Sequence, residues 1–117
     1  MVVAGQMRAA VVRFPAYGGR MVKSVARVVT DQPGRYVKQL VSHLGHRLSA
    51  DLADDGTAVV AFETGSCTLT PEPGELRLDA SATDTEALAR IRDVVGRHLE
   101  RFGGREGLQV TWSDAAG

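Results

Sequence analysis

The stretch TDTEALARIRDVVGRHLERF, residues 83–102, decides the fold. Leu88, Ile91, Val95, Leu99 and Phe102 recur at three- and four-residue spacing, with Val94 at the edge of the stripe. That is the period of an amphipathic helix. Thr83 and Glu86 have capping-box spacing, Asp84 suits an acid-favouring first turn, and Gly103-Gly104 ends the pattern. A helix with one apolar stripe must lay it on another layer. His98 falls inside the stripe. An imidazole there is either a core group bonded to a backbone carbonyl, or to a side chain of the sheet or first helix, or it belongs to a site.

Just upstream the period changes from helical to two. Leu76, Leu78 and Ala80 alternate with Arg77, Asp79 and Ser81, and Cys67 and Leu69 alternate with Ser66, Thr68 and Thr70. Residues 71–74, Pro-Glu-Pro-Gly, read as the connection between these two strands. Residues 57–63 are more evenly apolar and predict a central strand. Leu48, Ala50 and Leu52 alternate before the Asp54-Asp55-Gly56 turn signal. Four strands joined by short turns predict an antiparallel meander, and their alternation predicts that one sheet face is covered. Before them, Tyr36, Val37, Leu40, Val41 and Leu44 make a second amphipathic helix. Asp31 is its candidate cap, Pro33 lies in its first turn and Gly45 is its stop. The Val-rich residues 24–30 predict a first strand, and Leu108, Val110 and Trp112 a last one.

The predicted fold is therefore a two-layer α+β domain. An antiparallel sheet carries two helices on one face, in the order strand, helix, four strands, helix, strand. A single domain is expected over residues 21–113, with 114–117 a frayed tail. Residues 1–20 read as a poorly structured N-terminal extension. Gly18-Gly19-Arg20 before Met21 resembles a translated ribosome-binding site, so Met21 is a candidate true start.

Composition narrows the classes. Hydrophobic residues make up 44% and charged residues 24% of 117, which suits one globular domain. Fourteen basic residues balance fourteen acidic ones, so the chain lacks the basic excess of a nucleic-acid binder. No apolar run reaches the roughly 20 residues of a membrane span. One cysteine, Cys67, excludes an intrachain disulfide, and the expected location is cytoplasmic. The neutral total hides an asymmetry: residues 1–47 hold eight bases and one acid, whereas residues 48–89 hold one base and nine acids. The helical side is thus expected to be basic and the strand-rich middle acidic.

The candidate chemistry centres on histidine. His43, His46 and His98 are all the histidines present. The first two share a helix end at i, i+3 spacing, and three imidazoles can hold zinc or iron, or contact haem, with a position left open. Arg90, Arg97 and Arg101 lie in a narrow arc opposite the apolar stripe. They suit phosphate or carboxylate, although Glu86 with Arg90 and Asp93 with Arg97 are spaced as surface pairs. Cys67 points inward as a small hydrophobe, and Trp112 takes the core phase with a ligand role open at the sheet edge.

Several segments together resemble a family of small bacterial proteins known as a domain of unknown function, number twenty-two eighteen. They are residues 35–40 (Arg-Tyr-Val-Lys-Gln-Leu), 43–46 (His-Leu-Gly-His), 65–67 (Gly-Ser-Cys) and 98–102 (His-Leu-Glu-Arg-Phe), with Arg105-Glu106 and Trp112. Gly103-Gly104 departs from the expected pattern. The resemblance implies no established activity. It implies an association with siderophore-interacting flavin reductases, and through it an iron or siderophore context. The element order is also similar to a TATA-binding-protein-like arrangement, an analogy that carries no function. The leading expectation is a non-enzymatic binding or accessory domain whose surface combines His43, His46, His98, Arg101 and Arg105 to take a small anionic ligand. The alternatives are a small enzyme with His98 or His46 as general base, and a structural module that forms a homodimer through its open sheet face.

Overall fold

The structure, a computed structural model, describes residues 21–114. The expectations for residues 1–20 and for the last three residues of the tail lie outside them. The elements are β1 (Val22–Val29), α1 (Pro33–Leu44), β2 (Ser49–Leu52), β3 (Ala58–Phe62), β4 (Gly65–Glu72), β5 (Glu75–Ala82), α2 (Thr85–Phe102) and β6 (Trp112–Asp114). A 3-10 turn, Gly104–Glu106, follows α2. The expected order of elements is the observed one. All six strands form one antiparallel sheet in the order β2-β3-β4-β5-β1-β6.

Strand β5 is the spine of this sheet. Its residues 75–82 are paired along their whole length on both sides, Gly65↔Ala82 to Glu72↔Glu75 with β4, and Val22↔Ala82 to Val29↔Glu75 with β1. The even apolar run of β3 lies one strand in from the edge, and the centre is β4–β5. The β4–β5 connection is tighter than the sequence suggests. Pro71 and Glu72 belong to β4, leaving Pro73-Gly74 as the turn. The β3–β4 pairing stops at Leu69, opposite Ala58, the first residue of β3, so Pro71 has a free side where its missing N–H need not break a ladder bond.

Alternation decides which face is covered. Ala26 and Val28, Val60, Cys67 and Leu69, and Leu76 and Leu78 all point to the helices and are buried. Against them α1 lays Tyr36, Val37, Leu40 and Leu44, and α2 lays Leu88, Ile91, Val95 and Leu99. The other face is polar and ion-paired: Arg27 meets Glu75 at 2.6 Å and Glu72 at 3.5 Å, and Arg77 meets Asp79 at 3.1 Å. Exposed Val29 lies on this face as well, on the same alternation phase as Arg27.

The caps differ in detail from expectation. Asp84, not Thr83, caps α2, its carboxylate accepting from Ala87 N at 2.8 Å. Asp31 does not cap α1. The first residue before that helix, Gln32, gives its N–H to Thr30 Oγ1 at 3.0 Å, and Pro33 opens the helix where no N–H is needed. At the other end of α2, Gly103 explains the departure noted in the sequence. Leu108 folds back over it, and a Cβ on Gly103 would lie 2.2 Å from Leu108 Cγ.

Candidate functional site

Both helices lie on one face, and their line of contact is the seam on which the histidine chemistry converges. At one end Tyr36 of α1 reaches Glu106 just past α2; at the other, His43 of α1 reaches His98 of α2. The helices therefore run antiparallel along the seam.

The first end is a hydrogen-bond cluster. The Tyr36 hydroxyl donates to Glu106 Oε1, and Thr30 Oγ1 donates to the same oxygen at 3.3 Å. Thr30 and Tyr36 are buried. The cluster ties the β1–α1 turn to the 3-10 turn beyond α2. Hydrogen bonding to Glu106, then burial, then the negative charge of Glu106 raise the Tyr36 pKa above that of a free phenol. The folded state therefore favours the protonated phenol. Its stabilising contribution is full below the unfolded value of about 10 and is lost as pH rises through the higher folded value. Tyr36→Phe should lower the unfolding free energy at pH 8 by about 1–2 kcal/mol. It should also flatten the loss of stability above about pH 10, measured as urea midpoints across alkaline pH for both proteins.

Between the two ends lies Gln39, three residues on from Tyr36 and four before His43. Its Oε1 is buried with no hydrogen-bond partner among the described residues.

The second end is aromatic. The His43 and His98 ring centres are 4.7 Å apart at an interplanar angle of 48°, and Phe102 stands edge-on to His43 at 5.6 Å. His98 Nδ1 lies 2.6 Å from the Val94 carbonyl oxygen. A carbonyl only accepts, so Nδ1 carries the proton and Nε2 keeps its lone pair. His98 thus has a backbone carbonyl as its partner, as the sequence reading allowed, on its own helix, but it is half-buried at the rim and not a core residue. At 100° per residue it sits about 60° from the middle of the buried stripe, which is enough to turn it from the sheet toward α1. His43 is exposed. His46 lies in the exposed turn after α1, and no ring contact joins it to the other two. Among the described residues no three His, Cys, Asp or Glu side chains gather as a metal-binding group.

Arg101 follows His98 by one helical turn, and Arg105 sits beside Glu106 on the 3-10 turn. Both are exposed, and neither has an ion pair among the described residues. Of the other two arginines on that arc, Arg97 is held by Asp93 at 2.9 Å, while Arg90 and Glu86 do not pair. Of the five candidate residues, then, the structure joins His43 and His98, leaves Arg101 exposed one turn on from His98 and Arg105 exposed beside Glu106, and brings neither arginine nor His46 into contact with the pair.

A groove of about 270 Å³ lies on the opposite side of α2, between it and residues 108–112. Trp112, Val110 and Gly96 form its apolar part. Its charges are already engaged: Arg92 bonds Ser24 Oγ at 3.1 Å, and Glu100 accepts Val110 N–H at 3.1 Å. Trp112 is half-buried on the edge strand and opens on this groove, instead of packing fully inward.

Cys67 is fully buried, and burial pushes its thiol pKa well up, away from the reactive thiolate. Thiol-labelling reagents should leave the native protein unmodified and react only once it is unfolded in denaturant.

The Tyr36–Glu106 contact and the buried Gln39 oxygen are the members of the seam that residue-by-residue reading does not supply. Tyr36 and Glu106 are 70 positions apart, and neither has a local pattern that names the other. Their one trace in the sequence is that both stand in segments carrying the family resemblance.

A six-stranded antiparallel sheet roofed on one face by two antiparallel helices, with a polar and aromatic seam between them, defines a two-layer α+β domain. The chain belongs to the family described as "Uncharacterized protein conserved in bacteria (DUF2218)", whose model matches residues 25–113. It is similar to PA4090 from Pseudomonas aeruginosa, solved by NMR. That similarity is 28% sequence identity and a TM-score of 0.69, over 82% of this chain and 99% of that one. No curated protein matches the chain significantly. Among the described residues no helix is long and apolar enough to cross a membrane.

Proposed function

We propose that this domain is a non-enzymatic, cytoplasmic binding module, and that the α1–α2 seam is its ligand face. The observation behind the reading is the gathering of two unlike groups at the C-terminal end of α2 and the turn after it. The His43–His98–Phe102 ring cluster offers imidazole nitrogen and an aromatic wall. Arg101, one turn on from His98, and Arg105, on the 3-10 turn that follows, are exposed guanidiniums with no ion pair among the described residues. A guanidinium fork binds carboxylates and other paired oxygens in a bidentate manner. The ligand class this suits is a small anion rich in oxygen donors. In the iron context that the family resemblance implies, that class is a ferric siderophore, with a siderophore-interacting flavin reductase as the partner that exchanges it.

Isothermal titration with a ferric hydroxamate, a ferric catecholate and haem tests this directly. One of them should bind, and Arg101→Glu with Arg105→Glu should weaken that binding about tenfold or more, the value of charged hydrogen bonds. Absence of binding to all three would overturn the reading.

A further inference from the structure

We infer that His43 and His98 together form a site for a divalent copper or nickel ion, with the rest of the coordination sphere left to water or to donors of a bound chelate. The inference rests on the seam being the ligand face and names what the imidazoles do there.

The His98 tautomer is the first support. Its Nδ1–H is committed to the Val94 carbonyl at 2.6 Å. Metal-bound histidines commonly spend their second nitrogen in this way, because the bond fixes the ring and keeps the other nitrogen basic. Nε2 is the nitrogen left with a lone pair. His43, exposed and without a hydrogen bond among the described residues, can turn either nitrogen to the same point.

Ring spacing is the second support. An imidazole nitrogen sits about 2.0–2.1 Å from a zinc-sized ion, which puts the ring centre about 3.2 Å from it. Two ring centres 4.7 Å apart are close enough for one nitrogen of each to reach a shared ion. A sphere of two imidazole nitrogens completed by oxygen donors suits Cu(II) and Ni(II), which take nitrogen and oxygen ligands in square-planar or tetragonal geometry and lie at the high-affinity end of the divalent series. No third His, Cys, Asp or Glu joins the pair among the described residues, so two protein ligands leave several positions open. Such a sphere holds a bare ion modestly and accepts a chelated one. Phe102 closes one side of the pair, and Arg101 stands one turn on from His98, where it can neutralise an anionic chelate.

The test is a titration of the full, untagged chain with copper sulfate and nickel sulfate, read by calorimetry, with EPR of the copper complex. One ion per chain is expected, with two imidazole nitrogens coupled to the copper. His43→Ala and His98→Ala should each weaken binding about 100-fold or more, since the loss of an outer partner alone costs roughly 10–100-fold. His46→Ala should leave it unchanged. If His98→Ala fails to fold, His98→Gln gives the same readout. Binding that survives in both His43 and His98 variants, or that is lost with His46→Ala alone, overturns the inference. Chelate binding abolished by the arginine variants but indifferent to both imidazoles would sink the metal site and spare the seam. Copper binding with no chelate binding would do the reverse.

Discussion

Gly65→Ala is expected to lower the unfolding free energy by about 3 kcal/mol or more, at the upper end of the usual cost of overpacking a core. Gly65 opens β4 and pairs with Phe62 on one side and Ala82 on the other, under α2. A Cβ built there would lie 2.2 Å from the Ser81 carbonyl oxygen, 2.8 Å from Ala82 Cα and 2.8 Å from Ile91 Cδ1. Ile91 could turn, but the first two atoms are backbone of the sheet's spine and cannot yield without disturbing β5. Domains of this size have only about 5–15 kcal/mol of stability in all, so the loss is a large share of it. Urea unfolding followed by circular dichroism gives the value, and a cost below 1 kcal/mol would mean that β4 and β5 do not approach as described.

Gly65 also shows where sequence reading stops. The Thr64-Gly65 pair reads as a turn because glycine commonly marks turns. In the fold Gly65 is the first residue of a central strand, and its lack of a side chain serves a close approach from a strand and a helix far away in sequence. Local periods did carry the helices, the meander and the covered face, because each of these is fixed by neighbours within one element. Strand order was not legible. Nothing in the alternation of β1 or β6 says that the first and last strands pair with each other beside β5. The last strand illustrates the limit from the other side: Leu108, Val110 and Trp112 alternate, yet pairing begins only at Trp112. Leu108 is spent on Gly103, the Val110 N–H on Glu100, and the Val110 and Trp112 side chains lie by Gly96, so the segment runs back along α2 before it reaches the sheet. At the seam the residue types were visible, but which histidines meet was not. The turn after α1 separates His46 from His43, and only the antiparallel placement of α2 brings His98 to the latter.

Leu99→Ala should cost about 3–5 kcal/mol, the range for a large aliphatic side chain removed from a core that cannot collapse around the gap. Leu99 has no exposed surface and lies in the stripe with Ile91 and Val95, both nearly or fully buried, over a sheet whose opposing Leu69 and Leu78 are also fully buried. Strands paired on both sides leave little freedom to close a cavity. The neighbouring residue, His98, should behave oppositely. It is half-buried, and its bond to Val94 lies within its own helix, so His98→Gln should stay within about 1 kcal/mol of the parent, as substitutions outside packed features do. The two variants, compared by urea unfolding and by copper titration, separate the two roles of α2. Leu99→Ala should lose stability while the folded fraction still binds copper; His98→Gln should keep stability and lose copper. A His98 variant that unfolds as readily as the Leu99 one would place the imidazole in the core after all. A single turn of helix thus carries both roles, and a rotation of about 100° between adjacent residues is what keeps the packing of one independent of the chemistry of the other.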